Sequence, residues 1–272
     1  MTKIQLCSIM DPYFQGNTTM DIEHNNELLL EAAKKGDINE VQRLIPISDP
    51  KHKNSVAFRE ACENGHFECV KALIPVSDGY NFAMNEAARN NKVECVKLLL
   101  PLSDHHESAL HAAAGNNHIE CVKLLLPGSK DVSRQLCMAI QNHHNECAQL
   151  ILSDCLQKDT SYMKEWALHT AVEFGNTEAV KMLLPYVDPS IKGSQALAMT
   201  VFGENQECFE LLYPLSDPES AFKFVEQGFS YKTGLFQSFQ DSIERAKAEQ
   251  QRDVLNEEVS TNNNPVKHKQ KM

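Results

Sequence analysis

From Ala109 to Leu126 the chain reads ALHAAAGNNHIECVKLLL, and its apolar positions fall at helical intervals. Ala109, Leu110, Ala112 and Ala113 make one face of a short helix. Gly115 and the asparagines behind it break that helix, since both residue types tolerate left-handed backbone. Ile119, Val122, Leu124, Leu125 and Leu126 then line a second helix. Glu120 stands in its first turn, where negative charge meets the positive end of the helix dipole. It is also spaced to pair with Lys123 across one turn. Pro127 closes the second helix. The Ser-Asp that follows such a proline in most of the chain is suited to capping, because its side-chain oxygens accept from orphaned backbone N–H groups. In Ser216-Asp217-Pro218 the proline takes the first helical position, where its fixed φ is already helical.

This unit recurs. ECVKLLLPLSD runs from Glu94 to Asp104, and ECVKLLLPGSK follows 26 residues later from Glu120. FECVKALIPVSD, INEVQRLIPISD and ECFELLYPLSD are fainter versions ending at Asp78, Asp49 and Asp217. The closing proline falls at Pro46, Pro75, Pro101, Pro127, Pro185 and Pro214, with Ser153 in the remaining slot. The steps are 29, 26, 26, 26, 32 and 29 residues, which makes seven copies. Each also carries an earlier small-residue pair: Ala32-Ala33, Ala61-Cys62, Ala87-Ala88, Ala112-Ala113, Ala139-Ile140, Ala171-Val172 and Ala198-Met199. A single helix pair is too short to bury its own core. Stacked pairs cover one another's apolar faces, so the pattern predicts a solenoid.

The stretches Ala109 to Gly115 followed by IECVKLLL, and Ala167 to Leu184 (ALHTAVEFGNTEAVKMLL), resemble the ankyrin repeat, whose pattern is T-P-L-H-x-A-A…G-x-x-x-x-V-x-x-L-L. The resemblance covers roughly residues 25–225. It implies an all-α, ankyrin-type helical-repeat solenoid, and a protein partner gripped on the concave side by fingers and first helices. One departure stands out. The 26-residue copies leave only four residues, His105 to Ser108, for the β-hairpin finger of the family, so most fingers are expected to be cut back to loops. The 32-residue step, SDCLQKDTSYMKEWALH from Ser153 to His169, has room for one.

Composition agrees with a binding scaffold. Apolar residues make up 42% of the 272 residues, enough for a continuous core. A net charge of −11 argues against nucleic acid or an anionic membrane as partner, since both need a basic face. No segment approaches a membrane span, and the first twenty residues do not read as a signal peptide. Five of the nine cysteines, Cys69, Cys95, Cys121, Cys147 and Cys208, follow the Glu of the repeated phrase. Equivalent positions in stacked helices lie roughly 8–10 Å apart, too far for a disulfide. They read as small buried hydrophobes.

Eleven histidines raise the question of a metal. His111 and His169 fill the Leu-His slot, where the resemblance implies a hydrogen-bonding structural ring. His66 and His118 stand at the starts of second helices, where capping explains them. His105-His106 and His143-His144 sit at opposite ends of helices about 12 Å long, so the two pairs cannot share an ion; His118 with His143 or His144 is the pairing left to consider. No Gly-rich phosphate loop, H-E-x-x-H or C-x-x-C occurs. No cofactor, metal site or catalytic residue is expected, and the chain reads as a non-enzyme.

A binding surface leaves residues that fail to repeat on a scaffold that does. Four loops qualify: Lys51-His52-Lys53-Asn54, Gly79-Tyr80-Asn81, His105-His106-Glu107, and Tyr162-Met163-Lys164-Glu165-Trp166 with the only Trp in the chain. The contact residues expected from them are Lys51, His52, Lys53, Tyr80, Asn81, His105, His106, Glu107, Tyr162 and Trp166. Mixed polar and aromatic loops of this kind supply interface hot spots. The competing role for Tyr80 and Trp166 is to plug gaps left by irregular loops.

The ends differ from the middle. Residues 1–24 read as an N-terminal arm or cap before an array at 25–228. In the segment 229–258, Phe236, Phe239, Ile243 and Ala246 share one helical face, as a helix covering the open end of the stack requires; partner binding is the other use of that helix. Residues 259–272 form a polar, basic, disordered tail. The tail, with Glu249, Glu257 and Glu258 before it, also resembles the C-terminal export signals of type IV secreted bacterial effectors. The expectation is a monomeric, cytoplasmic protein-binding adaptor or scaffold. The alternative is an exported effector, or a phage or viral inhibitor, that blocks or redirects a host protein.

Overall fold

A computed structural model describes residues 19–157, 161–202, 205–229 and 233–262, apart from some side chains at segment ends. Of the arm expected at 1–24 and the tail expected at 259–272, residues 1–18 and 263–272 lie outside the described residues, while 19–24 and 259–262 are helical. The described residues divide into two compact units, one within Met1–Gln157 and the other within Lys158–Met272. In the first unit, α1 (Thr19–Lys35), α3 (His52–Asn64), α5 (Tyr80–Arg89), α7 (Glu107–Gly115) and α9 (Ser133–Gln141) are the first helices of successive copies. Their second helices are α2 (Ile38–Leu44), α4 (Phe67–Leu73), α6 (Val93–Leu99), α8 (Ile119–Leu125) and α10 (Asn145–Gln157). Each first helix packs on the next first helix and on its own second helix, and the second helices stack likewise.

The second unit continues the pattern with α11 (Ser161–Glu173), α12 (Thr177–Leu183), α13 (Ile191–Phe202), α14 (Gln206–Leu212) and α15 (Pro218–Phe229), ending in α16 (Thr233–Asn262). There α11 packs on α13 and α13 on α15, while α16 lies against α13 and α15. Phe239 and Ile243 are its buried face, with Phe239 edge-on to Phe209 at 6.3 Å; Phe236's side chain is outside the described residues. Beyond Lys247 the helix is exposed up to Asn256. A groove of about 430 Å³ runs between α15 and α16, floored by Phe222 and Ile243 and edged by Glu219, Lys223, Glu226 and Lys247. Every regular element among the described residues is helical.

The core is written by the repeat. Leu29, Phe58, Met84, Leu110 and Leu136 occupy one slot of successive first helices and are 0–1% exposed. Cys69, Cys95, Cys121, Cys147 and Cys208 are equally buried. The small-residue slot is shifted by one residue in the fourth copy. There Ala113-Ala114, both fully buried, stands four residues before the left-handed Asn117, as Ala87-Ala88 does before Asn91. The expected Glu120–Lys123 pair is present at 2.7 Å, and Glu94–Lys97 and Glu178–Lys181 repeat it at 2.8 Å, all on the solvent side.

Each proline lies inside a short 3₁₀ turn, such as Leu100–Leu102, that ends its second helix. The copy with Ser153 lacks that stop, and α10 runs on to Gln157, 13 residues against seven in α8. Here the extra length of the 32-residue step goes into helix. With α11 starting at Ser161, only 158–160 separate the two, and the expected finger gives way to a longer α10. Ser and Asp in the turns after the prolines divide their labour. Asp49, Asp188 and Asp217 accept backbone N–H groups two residues on, at 2.9–3.1 Å, whereas Ser48 and Ser129 donate back to Leu44 and Leu125 carbonyls four residues earlier.

Burial sets the chemistry of the thiols. It pushes Cys95, Cys121 and Cys147 up to about 11 from the usual 9. The thiolate is the reactive form, so a two-unit rise cuts it about a hundredfold at pH 8. Ellman's reagent at pH 8 should therefore label these three thiols at least about a hundredfold more slowly in the folded chain than in urea.

Candidate protein-binding surface

Lys51, just ahead of α3, and Lys53, in its irregular first turn, are exposed to solvent, with His52 half-buried between them. Lys53, Asn54 and Ser55 are all left-handed, with φ of 49°, 58° and 54°. Such backbone costs on the order of 1–2 kcal/mol per residue outside glycine. Ser55 anchors it. Fully buried, its hydroxyl donates to the Asp78 carboxylate at 2.7 Å and accepts the Asp78 N–H at 3.0 Å. The device recurs: Ser194 accepts the N–H of Asp217 at 2.8 Å and Asn26 that of Asp49 at 2.7 Å. Each lies 23 residues before its aspartate (49 − 26, 78 − 55, 217 − 194). These bonds tie one first helix to the turn leading into the next. Sequence reasoning missed them, although a polar residue at a constant offset from each Asp was the available signal.

Two of the sequence-derived contact residues are committed to the scaffold. Tyr80 points its hydroxyl at the carbonyls of Ile74 and Ser77, at 3.0 and 3.2 Å, and sets its ring edge-on to Phe58 at 5.9 Å. His106 bonds the Ser103 carbonyl through Nε2 at 3.1 Å and lies over Gly128, leaving no room there for a Cβ. Lys51, Lys53, Asn81 and His105 are exposed, and Glu107 is half-buried. The side chain of Tyr162 lies outside the described residues.

Phe82, which sequence reasoning passed over, is 67% exposed at the start of α5, and Trp166 on α11 is 66% exposed. Both stand nine residues before the left-handed residue beyond their helix, Asn91 and Gly175. Ser108 and Arg134 fill the same slot before Asn117 and His143. Large aromatics thus occupy, in one copy of each unit, a slot that Glu27, Ser108 and Arg134 fill with polar side chains and Val56 with a half-buried apolar one.

The histidines at the starts of second helices reach across to the preceding copy. His66 and His118 meet the carbonyls of Lys34 and Arg89 through Nε2 at 2.8 Å, and His144 meets that of Ala114 through Nδ1 at 3.1 Å. Asn205 does the same to Val172 at 2.6 Å. Each therefore satisfies an open carbonyl at the C-terminus of the previous first helix, and the rings of His66 and His118 do not cap their own helices. His111 departs from the resemblance in another way. Its Nδ1 is buried without a hydrogen-bond partner, and burial, then the charge of Arg134, lowers its pKa. Among the described residues no three His, Cys, Asp or Glu side chains are grouped to hold a metal ion. Nor is any described helix long and apolar enough to cross a membrane.

Stacked helix pairs with their turns and first-helix starts open to solvent define a helical-repeat binding protein. A model of ankyrin repeats (three copies) matches residues 28–104, 61–135, 84–161 and 136–221, and the chain belongs to the ankyrin-repeat family. Among solved structures it is similar in fold to the human ASB11 ankyrin repeat domain, with a TM-score of 0.53 and 24% identity over 66% of this chain and 95% of that one. No curated protein sequence matches it. Repeats of this family form protein–protein interaction modules and are generally not enzymes.

Proposed function

We propose that this chain is a non-enzymatic adaptor or scaffold that binds a protein partner through the turns and first-helix starts of its repeats. Phe82 is the aromatic anchor of the first unit, with Lys51, Lys53, Asn81 and His105 as its polar rim, and Trp166 is the aromatic anchor of the second unit. The observation that carries this reading is the pair of exposed aromatics in one repeat register. Large exposed aromatic side chains supply binding energy at low conformational cost, and such positions dominate alanine scans of interfaces. The module works as a monomer in a cytoplasm, either that of its own cell or, for an exported effector, that of a host.

The test is a quantitative pull-down from lysates of the native organism and of a eukaryotic cell. Phe82→Ala and Trp166→Ala, singly and together, should keep their helical circular dichroism, and the double variant should lose partner affinity by at least about tenfold. A folded double variant that holds its partner as tightly as the wild-type chain removes this surface. The α15–α16 groove is then next to be tested. The lysate that supplies a saturable partner decides between adaptor and effector.

A further inference from the structure

One slot sets the first copy apart from those that follow it. Ala57, Ala83, Ala109 and Gln135 stand directly before the fully buried Phe58, Met84, Leu110 and Leu136, and all four are at most 4% exposed. The Gln135 amide donates to the Glu107 carbonyl of the preceding copy at 3.1 Å, so this slot faces backwards along the array. Alanine fills it in three of the four, as first helices packed directly on one another require. In α1, the first helix of the described array, the slot holds the larger Leu28, and it is only half-buried. Met20 lies two turns earlier on the same stripe and is 78% exposed, with the exposed His24 between them.

The second helix of the same copy is polar where its counterparts are not. Glu40 occupies the slot in which Cys69, Cys95, Cys121 and Cys147 are buried, and it pairs with Arg43 at 2.6 Å on the solvent side. The uncovered apolar strip is therefore one helix wide and confined to α1. A second copy stacked end to end would have to take Glu40 and Arg43 out of water along with it, which is costly for charges. A single segment of chain would not. Helix α1 also starts early: Thr19 lies ten residues before Leu29, whereas α5 and α7 begin four and three residues before Met84 and Leu110. The strip thus reaches the point where residues 1–18 join the array, and that segment carries Ile4, Leu6, Ile9, Met10, Tyr13 and Phe14.

We propose that residues 1–18 fold back along α1 and cover Met20 and Leu28. Gly16 supplies the reversal. The strip from Met20 to Leu28 is about 12 Å long at about 1.5 Å per helical residue, a span that about four residues of extended chain match. Phe14 then lies against Met20 and Met10 against Leu28, and Asp11, the one carboxylate of the segment, comes within reach of His24. The segment does for α1 what a preceding copy does for α3, α5, α7 and α9. Leucine has the bulk to meet a single strand of chain where alanine would leave a gap. The cap sits on the side of α1 away from α3, and so away from Phe82 on α5.

Methionine oxidation of the full chain tests the cover. With dilute hydrogen peroxide and peptide mass mapping, wild-type Met20 should become the sulfoxide at least about tenfold more slowly than in a Met10→Ser, Phe14→Ser double variant. Leu28→Ser, on the other side of the contact, should release Met20 to a similar degree, and both variants should keep their helical circular dichroism. Gln5→Ser with Gln15→Ser, an equal number of changes in the same segment, should leave Met20 protected. Sedimentation at the labelling concentration should show the monomer. Equal Met20 rates in the wild-type chain and the double variant overturn the proposal. Protection confined to a dimer does so as well, because a second copy is then the cover. So does protection that survives Leu28→Ser, because the segment then lies elsewhere.

Discussion

Replacing Phe58 by alanine should destabilise the first unit by about 3–5 kcal/mol, the cost of emptying a large aromatic site in a core that relaxes only in part. Phe58 lies fully buried in α3, which packs against α1, α4 and α5. Its ring meets Tyr80 edge-on, so the cavity also removes the surface that steadies the Tyr80 hydroxyl on Ile74 and Ser77. In a stack each copy is stabilised mainly by its neighbours, so the loss should spread: amides of α1 and α5 should lose hydrogen-exchange protection together with those of α3. Whole domains are stable by only about 5–15 kcal/mol. A change of this size should bring a clear drop in urea midpoint. Phe82→Ala is the control, an equal truncation at an exposed site, expected to shift stability by no more than about 0.5 kcal/mol. A Phe58→Ala loss under about 1 kcal/mol would mean that the copies do not share one core.

These two phenylalanines show which parts of the molecule its sequence makes legible. Phe58 stands in the slot of Leu110 and Met84, where the repeat writes an apolar residue each time, so its burial follows from the period alone. The helix pairs, the proline stops and the buried cysteines are readable in the same way, because each is a local rule applied several times. Phe82 is apolar in a slot that the repeat leaves variable. Composition suggests burial there, and only the helix register shows that it faces solvent. Tyr80 presents the opposite case: an aromatic in an irregular loop resembles a contact residue until its hydroxyl is seen to close on two carbonyls. Ser153 stands where other copies carry the closing proline, so the helix stop is missing and α10 is longer. The histidines of His66 and His118 bond to the copy before them. Contacts between copies depend on how helices stack, which spacing within one copy does not encode.

Ser55→Ala should cost about 2–3 kcal/mol, more than its size suggests, because hydrogen bonds to a charged partner are worth more than neutral ones and a buried group is left unsatisfied. Three consecutive left-handed residues, Lys53 to Ser55, are held by a hydroxyl that both donates to the Asp78 carboxylate and accepts its N–H. Alanine keeps the left-handed strain and removes both bonds. Asp78→Ala deletes the charged acceptor but leaves the backbone N–H, so a double-mutant cycle should show the two residues coupled by about 1 kcal/mol or more. In the folded Ser55→Ala chain, amides 53–55 should exchange faster, because the turn that carries Lys51 and Lys53 is released. A loss below about 0.5 kcal/mol would show that the left-handed turn is held by its own backbone, and that Ser55 merely fills space in the stack.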